Sequence, residues 1–492
     1  MSQANLIVVD EPSRWPLQIE GVELVSSRSY LTESRFTELR GARVFNLCRS
    51  YRYQSLGYYV SLLAAARGHR PQPSVSAVQD LKSPTIVRAV SEELEDLIQK
   101  SLSPLHSDEF VLSIYFGRNL AKRYDRLCRY LFQQFQAPFL RATFIKNARS
   151  GKWSMQNIRP VAGSDLSEEH REFVVEVARE YFQGKRRRPG KKTAYRYDLA
   201  ILSDPQAVDA PSNEKALLRF VKAAESLGFS TEMITREDFG RLAEFDALFI
   251  RETTSVQHHT YRFARKAQAE GLVVVDDPES ILRCTNKVFL SELLDRHRIA
   301  APRTLILHRG NRESAGQVLG LPCILKQPDS SFSQGVVKVA TNEELQQEMK
   351  LLLEKSDLII GQEFMPTEFD WRIGIFDRKP LYACKYFMVK KHWQILRRDG
   401  RGGREEGNFE TLPLWQVPPE VIKTALKAAN LIGDGLYGVD LKQLGSKVVI
   451  IEVNDNPNID GGVEDRVLGD ELYRSIMETM LERVEKKKGR TP

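Results

Sequence analysis

The sequence predicts a multidomain protein that combines α/β and α+β folds. Its 492 residues are too many for one hydrophobic core, and a content of 42% hydrophobic and 28% charged residues is typical of a globular protein. Apolar strand patterns alternate with amphipathic helix patterns from residue 194 to residue 284, which indicates a small parallel sheet covered by helices. From Asn286 onward the pattern changes, because antiparallel strands then follow one another between the helices.

Four segments are expected along the chain. Residues 1–183 read as an additional N-terminal α/β domain, and residues 184–193 are rich in Lys, Arg, Gly and Pro, which is typical of a linker. Residues 194–284 form the parallel-sheet domain, and residues 285–492 form the α+β domain. The clearest predicted elements are strands at 6–9, 44–47, 199–202, 245–250 and 272–275, and helices at 56–66, 173–182, 213–227, 260–270 and 419–432.

The excess positive charge of the chain is modest, but it is concentrated in two clusters. The formal net charge is +7 and the sequence pI is about 9.0. One basic cluster runs from Lys185 to Lys192, and it is either a solvated tether or a contact for an acidic partner such as RNA or a ribosome. The other runs from Lys385 to Arg404 among several glycines, where it is either a solvated loop or a lid that binds an anionic substrate.

Other composition signals favour free thiols in a reducing cytoplasm rather than a disulfide framework or a zinc site. The five cysteines form no C-x-x-C pair, and no apolar run of about 18 residues or signal-peptide pattern is present, so no membrane partner is expected. The pair His258-His259 has no carboxylate or cysteine at ligand spacing nearby, so a surface or substrate-side loop is expected there. The segment 48–53, Cys-Arg-Ser-Tyr-Arg-Tyr, follows a strand and reads either as a ligand-binding loop or as a structural Arg–Tyr cluster.

A hairpin near the C-terminus carries the strongest chemical signal. A short loop at Gly445 to Lys447 joins two apolar runs, and if Leu444 pairs with Val448, Asp440 lies opposite Glu452. Glu452 and Asn454 share a face because side chains alternate along a strand. These three oxygen ligands, Asp440, Glu452 and Asn454, predict a hard-cation site for Mg²⁺, with Mn²⁺ as a possible substitute. The alternative is a hairpin end with solvated polar residues.

Cationic and small residues upstream predict a nucleotide-triphosphate site. Lys326 lies in an otherwise apolar strand, which implies an anionic partner, and Lys287 begins the preceding helix. The loop after Lys326 has a composition that can present amides and hydroxyls to phosphate. A strand that ends at Gln362, Glu363 and Phe364 can offer backbone groups to an adenine edge. The remaining candidates are Ser331, Ser333 and Gly335 in the loop, Glu368 for ribose, and Lys385 and Arg372 for anionic groups.

The order of these motifs resembles the ATP-grasp superfamily, and more closely its RimK-like ligases of the glutamate ligase and glutathione synthetase type. The resemblance covers residues 196–485 and implies an ATP-grasp fold, preceded by the small parallel-sheet domain. It implies that the lysines hold the phosphates of ATP and that Arg372 stabilises an acyl phosphate. Residues 1–183 look like the extra N-terminal domain found on a subset of RimK-like proteins.

The resemblance implies an ATP- and Mg²⁺-dependent carboxylate–amine ligase. A carboxylate, expected to be glutamate or a similar acidic amino acid or peptide, would be phosphorylated by ATP and then captured by an amine. The acceptor could be an amino acid, a peptide or a protein tail. The alternatives are a ribosome- or RNA-associated ligase that modifies a protein tail, and a nucleotide switch that binds RNA. A homo-oligomer is expected from the resemblance alone.

Overall fold

The computed structural model describes residues 4–39, 41–183, 195–204, 206–207, 209–312, 315–329, 335–390, 392–398 and 404–489. The chain divides into two compact units. The first contains Met1–Ala194 and Phe239–Glu244, and the second contains Tyr195–Asp238 and Phe245–Pro492. The predicted linker at 184–193 lies outside the described residues. Across the described part of the chain, no helix has both the length and the apolar composition needed to cross a bilayer.

The first unit begins with a parallel sheet whose strands lie in the order β2-β1-β3-β4. The inner strand β1 is buried on both faces of the sheet. Its successive side chains belong alternately to two different hydrophobic clusters. Leu6 and Val8 pack with the helix Leu56–Ala66, and Ile7 and Val9 pack with the helix Arg171–Gln183. The elements are β1 Asn5–Val9, β2 Glu23–Ser26, α1 Ser27–Thr32, α2 Ser34–Glu38, β3 Arg43–Asn46, α3 Leu56–Ala66 and β4 Arg70–Gln72.

An antiparallel sheet in the order β5-β6-β7 completes the first unit. The sequence reading left this region unassigned. One face of the sheet packs against α4 to α7 in a cluster that includes Leu127, Leu131 and Phe144. The elements are α4 Val75–Lys82, α5 Pro84–Glu93, α6 Glu95–Leu102, β5 Glu109–Tyr115, α7 Asp125–Phe135, β6 Phe139–Lys146, β7 Trp153–Pro160 and α8 Arg171–Gln183.

The second unit begins with another parallel sheet, in the order β11-β10-β8-β9, which confirms the predicted alternation. Phe220 and Tyr473, from helices on one side of it, join Phe249 in a buried aromatic cluster. The elements are β8 Tyr197–Leu202, α9 Glu214–Ser226, β9 Phe229–Ile234, β10 Ala247–Ile250, α10 His259–Ala269, β11 Val273–Val275 and α11 Pro278–Thr285. The described 3-10 helices of the chain are Pro12–Arg14, Lys122–Tyr124, Gly163–Asp165, Glu168–His170, Arg236–Glu244 and Leu414–Gln416.

Two large antiparallel sheets, besides the small β18-β19 pair, follow in the second unit and hold the candidate site. One has the order β12-β15-β13-β14 and the other β20-β17-β16-β21-β22, so the α/β and α+β prediction is confirmed. Asn286 caps α12 by accepting from the amides of Val288 and Phe289, which places Lys287 in the first turn. The elements are α12 Lys287–Arg296, β12 Thr304–Leu307, α13 Ala315–Leu319, β13 Cys323–Lys326, β14 Val336–Val339, α14 Asn342–Leu353, β15 Ile359–Glu363, β16 Phe369–Phe376, β17 Lys379–Phe387, β18 Leu396–Arg398, β19 Arg404–Glu406, β20 Phe409–Leu412, α15 Pro419–Ile432, β21 Leu436–Leu444, β22 Lys447–Asp455 and α16 Asp470–Lys487.

The register of the β21–β22 hairpin corrects one step of the sequence argument. Leu444 pairs with Lys447, not with Val448, so the turn is one residue tighter than predicted. A register shift between Asp440 and Leu441 then restores the expected pair of Asp440 with Glu452. A bulge of this kind places two residues of one strand opposite one of the other. The predicted pairing of the two carboxylates is therefore confirmed, but a β-bulge produces it.

A close glycine contact in the large antiparallel sheet gives a stability prediction. Gly374 pairs with Tyr382, and a Cβ at position 374 would lie 2.1 Å from a ring carbon of Tyr382. Gly374→Ala should lower the free energy of unfolding by about 1–3 kcal/mol, because the buried ring must move. Urea unfolding of the full chain measures the change. In a Tyr382→Ala background the same substitution should cost little, and an equal cost in both backgrounds would contradict this explanation.

Candidate functional site

The predicted ligands Asp440, Glu452 and Asn454 converge on one face of the β21–β22 hairpin. Asp440 pairs directly with Glu452 across the two strands. Asn454 lies two residues beyond Glu452, and its Nδ2 donates to Asp440 Oδ2 at 3.1 Å. The hairpin therefore brings two carboxylates and an amide together, as the sequence predicted.

Two cations pair with these carboxylates. Arg372 on the neighbouring β16 donates to Asp440 through Nε at 2.7 Å and through Nη2 at 2.8 Å. Lys287 Nζ lies 2.8 Å from Glu452 Oε1, and the Lys287 side chain is only 10% exposed. Burial opposes the charge of Arg372, but Asp440 outweighs it and holds the pKa of the guanidinium well above its usual value. Burial likewise raises the pKa of Glu452, yet Lys287 and Lys326 outweigh it, so the net pKa shift is downward.

Lys326 is the last residue of β13, and its cationic side chain is partly buried. Its Nζ donates to Gln362 Oε1 at 2.9 Å, and Gln362 in turn donates to Thr304 Oγ1 at 3.0 Å. Burial lowers the pKa of Lys326 to about 8, although the nearby Glu452 acts in the opposite direction. A weakly solvated ammonium without a carboxylate at contact distance has a strong electrostatic tendency to bind an anion.

A cleft joins these residues to the predicted adenine hinge. It encloses about 950 Å³, including space open to solvent. Phe364 lies at one side, where Lys338 Nζ is 3.8 Å from its ring centroid and Trp393 makes an edge contact with it. The cleft is therefore charged where Lys287, Lys326, Asp440 and Glu452 line it, and more apolar where it is lined by Pro302, Ile324, Val336, Phe364, Met365, Trp393 and Ile395.

The structure does not bring every predicted residue to this cleft. Glu368 is exposed and does not line it. Lys385 pairs with Trp371, whereas Arg372 pairs with Asp440, so Lys385 faces the opposite side of the sheet, where it contacts Glu410 at 3.0 Å. Gly335 has φ +67° and its carbonyl accepts from the Gln327 amide, but it does not line the cleft. Ser331 and Ser333 lie outside the described residues. The assignment of binding roles to all these residues remains a prediction.

Some residues that line the cleft were given no role by the sequence reading. Lys442 Nζ donates to Asp370 Oδ1 at 2.6 Å and to Thr367 Oγ1 at 2.7 Å. Tyr386 pairs with Asp370 across β16 and β17 and donates its hydroxyl to Glu464. Strand alternation is the signal that could have identified two of them, because Asp370 precedes Arg372 by two residues and Lys442 follows Asp440 by two.

A second and larger cavity adjoins the same carboxylates. It encloses about 1580 Å³ with solvent-open space included. Tyr386, Asp440 and Glu452 line both cavities, whereas Arg372 lines the second. Carboxylates dominate its described lining, in which Arg372 is the cationic side chain. Burial raises the pKa of Glu464 to about 7 and also raises the pKa of Asp460. The acidic residues of this lining are Asp329, Glu406, Asp440, Glu452, Asp455, Asp460 and Glu464.

Buried polar groups hold the end of β22 beside this cavity. Arg251 is fully buried and donates to Asn456 Oδ1 at 2.6 Å and to the Pro457 carbonyl at 2.9 Å. Asp276 accepts from the backbone amides of Asn456 at 2.7 Å and Leu436 at 2.6 Å. Burial raises the pKa of Asp276 to about 7 even with these donors. The segment after the predicted metal ligands, at Asn456 and Pro457, is therefore held by contacts that no local sequence pattern indicated.

The expectation for His258 and His259 needs correction. Glu252 Oε2 lies 2.5 Å from His259 Nε2, and the ligand atoms of Glu252, His258 and His259 lie within 4.8 Å of one another. The carboxylate comes from the end of β10, and the histidines lie at the start of α10. A separation of six residues concealed this contact at the level of sequence.

Comparison with known proteins identifies part of the chain. Residues 27–177 match the family model described as RimK-like ATPgrasp N-terminal domain. These residues are similar to that N-terminal domain. The predicted resemblance of the N-terminal region to a RimK-like domain is confirmed.

Relatives of this chain are named as probable ligases, which confirms the prediction of a ligase enzyme. It is 27% identical over 224 residues to a probable alpha-L-glutamate ligase of Vibrio vulnificus, with 45% of this chain and 71% of the relative covered. A probable alpha-L-glutamate ligase of Aliivibrio fischeri is 25% identical over 285 residues, with 54% and 89% covered.

Solved structures of low sequence identity also resemble this chain. The D-alanine–D-alanine ligase of Bacillus anthracis has 14% identity and a TM-score of 0.46, with 59% of this chain and 100% of that one covered. A RimK domain ATP-grasp protein of Sphaerobacter thermophilus has 16% identity and a TM-score of 0.43, with 57% and 98% covered.

The lowered pKa of Lys326 predicts a pH dependence. Below pH 8 the ammonium is charged and available to an anion, and above about pH 8 it loses its proton, so affinity for ATP should fall as pH rises. Lys326→Arg should remove this inflection because a guanidinium stays charged. Binding of a non-hydrolysable ATP analogue between pH 6.5 and 9.5 measures it. The same inflection near pH 8 in Lys326→Arg would assign it to another group.

Proposed function

We propose that the chain is an ATP- and Mg²⁺-dependent carboxylate–amine ligase that works through an acyl phosphate. The observation that carries the proposal is the convergence of Asp440 and Glu452 with Lys287 and Lys326 in one cleft, where Asn454 contacts Asp440 from the adjoining cavity. Oxygen ligands next to buried cations suit a nucleotide triphosphate with its metal ion. The names of the ligase relatives agree with this class of reaction.

The donor set fits Mg²⁺ by its chemistry. Asp440 and Glu452 supply carboxylate oxygens, Asn454 supplies an amide oxygen, and the downward pKa shift of Glu452 keeps it ionised. Arg372 and Lys287 neutralise the two carboxylates through direct contacts. When bound, Mg²⁺ supplies further positive charge to the phosphate oxygens of ATP.

The residues of the chain have separate tasks in this proposal. Lys287 and Lys326 bind phosphate oxygens, and the segment Gln362 to Phe364 binds the adenine base. Arg372 orients the substrate carboxylate, which attacks the γ-phosphorus as ADP leaves. The amine then attacks the acyl carbon, inorganic phosphate leaves, and the amine loses its proton as the amide bond forms. The proposed donor is glutamate or a similar acidic amino acid or peptide.

The acid-rich second cavity supports a cationic acceptor. Glu406, Glu452 and Asp460 lie there near Arg372, and above about pH 7 Glu464 adds its charge, so a substrate with a free carboxylate next to its reacting amine would face like charges. An amine without such a carboxylate would gain from the same field. This supports a basic side chain, a diamine or a peptide amine as the acceptor. The alternative of an RNA-binding ligase depends on the Lys185–Lys192 tract, which lies outside the described residues.

Hydroxylamine capture tests the reaction class without knowledge of the acceptor. Hydroxylamine is small and neutral, and it converts an acyl phosphate to a hydroxamate with release of phosphate. Incubation with ATP, Mg²⁺ and each of the twenty amino acids in turn should give a hydroxamate and ADP in equal amounts for at least one of them. If no amino acid gives a hydroxamate, while short acidic peptides also fail, the proposed acyl-phosphate mechanism is wrong.

Removal of one predicted metal ligand should abolish this reaction. Glu452→Gln should lower hydroxamate formation by at least ~100-fold, because a neutral amide binds Mg²⁺ weakly and also loses the ion pair with Lys287. Glu410→Gln is the matched control, since Glu410 pairs with Lys385 on the opposite face of the same sheet. Equal losses in the two variants would contradict a specific role for Glu452.

Acceptor charge should decide acceptor affinity. With the donor held constant, KM for lysinamide or cadaverine should be on the order of 10-fold lower than KM for aspartate, and Asp460→Asn should narrow the difference. The Asn213 backbone amide donates to Asp460 Oδ1, and an asparagine at position 460 keeps an oxygen that can accept this hydrogen bond. If hydroxamate forms normally but acidic and basic acceptors have equal KM, the ligase proposal stands and the cationic acceptor is wrong.

A further inference from the structure

The N-terminal parallel sheet has a crevice at the position where open α/β sheets bind ligands. The chain passes from β1 to β2 on one side of the sheet and then to β3 on the other, so the connections diverge between β1 and β3. Ligands of such sheets bind outside the carboxyl ends of the strands at this switch point. Asp10 follows β1 directly, and Leu47 to Arg49 follow β3, so both loops lie at the switch point.

The crevice is preorganised by contacts between the two loops. Asp10 Oδ2 accepts from the Arg49 amide at 2.8 Å, which ties the end of β1 to the end of β3. Arg49 Nε donates to Ser164 Oγ at 3.1 Å. The resulting cavity encloses about 320 Å³, including solvent-open space, and is lined by Val9, Asp10, Glu11, Arg14, Trp15, Leu47, Arg49 and Ser164.

One wall of the cavity is apolar and depends on a glycine. A Cβ at position 163 would lie 2.1 Å from a ring carbon of Trp15, so only glycine lets the indole lie against this backbone. Trp15 also stacks on Phe139. With Leu47, the indole offers a small hydrophobic surface next to the charged groups.

The charges in the cavity leave one site for an anion and one for a cation. Glu11 and Arg14 pair with each other at 2.7 Å. Arg49 uses Nε for Ser164, and among the described residues no carboxylate forms an ion pair with its guanidinium. Asp10 Oδ1 accepts a long contact of 3.4 Å from Ser27 Oγ, and the Cys48 thiol lies close enough to the Asp10 carboxylate to interact with it. The terminal nitrogens of Arg49 can therefore bind a carboxylate, and Asp10 Oδ1 can accept from an ammonium group.

The other parallel sheet of the chain offers an internal comparison. Its order, β11-β10-β8-β9, has the same switch point between β8 and β10, and Arg251 follows β10. Arg251 is fully buried, and Ser212, Asn456 and backbone carbonyls accept from its guanidinium. Arg49 instead lines an open crevice. The two arginines therefore differ, because Arg251 is buried and saturated by acceptors, whereas Arg49 makes one side-chain contact, to Ser164, and is exposed.

We propose that the N-terminal domain binds a free α-amino acid in the crevice between the ends of β1 and β3. Arg49 binds the α-carboxylate, Asp10 binds the α-ammonium, and Trp15 with Leu47 contacts the side chain. The site is separate from the residues assigned to catalysis and requires neither ATP nor metal. In this proposal the segment 48–53 has both of the roles considered from the sequence. Tyr51 is structural, because it is buried and donates to the Asn46 carbonyl, whereas Arg49 binds the ligand.

Calorimetric titration of the full chain without ATP tests the proposal, with each of the twenty L-amino acids as probe. At least one should bind, and its N-acetyl and amide derivatives should bind at least ~10-fold more weakly, because each lacks one of the two charges. Arg49→Gln and Asp10→Asn should each weaken binding by a similar factor. Arg149→Gln, an exposed arginine of the same domain outside the crevice, should bind as the unaltered chain does.

Several outcomes would overturn the proposal. They are the absence of binding by all twenty amino acids, equal affinity in Arg49→Gln and the unaltered chain, and equal affinity of the N-acetyl or amide derivative. The thermal midpoint of Arg49→Gln should match that of the unaltered chain because the side chain is exposed. Asp10→Asn keeps an oxygen for the Arg49 amide, so weak binding in that variant reports the lost charge.

Discussion

The site depends on the mutual neutralisation of opposite charges in a partly buried cleft. Asp440 and Glu452 lie opposite each other, and two carboxylates this close would repel strongly at low dielectric without cations. Arg372 binds the first in a bidentate geometry and Lys287 binds the second. The cations come from separate elements, β16 and the first turn of α12, so the cleft forms only when the sheet and the helix are assembled. Any ligand that enters must exchange with these contacts.

The cations of the cleft differ in the contacts that an incoming ligand would have to replace. Lys326 shares its ammonium with an amide oxygen of Gln362, a weaker acceptor than a carboxylate, and burial has already lowered its pKa. Lys442 is instead neutralised by Asp370. The cations therefore differ in how readily they can turn to an incoming phosphate. Lys326 loses the least interaction energy when it binds a phosphate, because it exchanges a contact with an amide oxygen for a stronger contact with an anion.

Sequence reasoning succeeded where a local pattern determines the structure. The helices at 56–66 and 419–432 have the bounds expected, because amphipathic spacing and their first-turn residues are properties of the segment itself. The carboxylate pair was also found, although a bulge corrected the register near the turn. Lys385 shows the limit. Its charge and its position in a cationic run indicated a binding role, but its pairing with Trp371 directs it to the other face of the sheet.

The sequence by itself determined the alternation of strands and helices, the oxygen donors of the predicted metal site, Asp440, Glu452 and Asn454, and the presence of lysines near them. These follow from residue type and from the period-two alternation of strands. Only the tertiary structure decided which cation pairs with which carboxylate, that Glu252 contacts His259, and that Arg251 and Asp276 hold the end of β22. Those contacts join residues from different elements. Their energies depend on burial and distance, which emerge only when the sheets and helices pack.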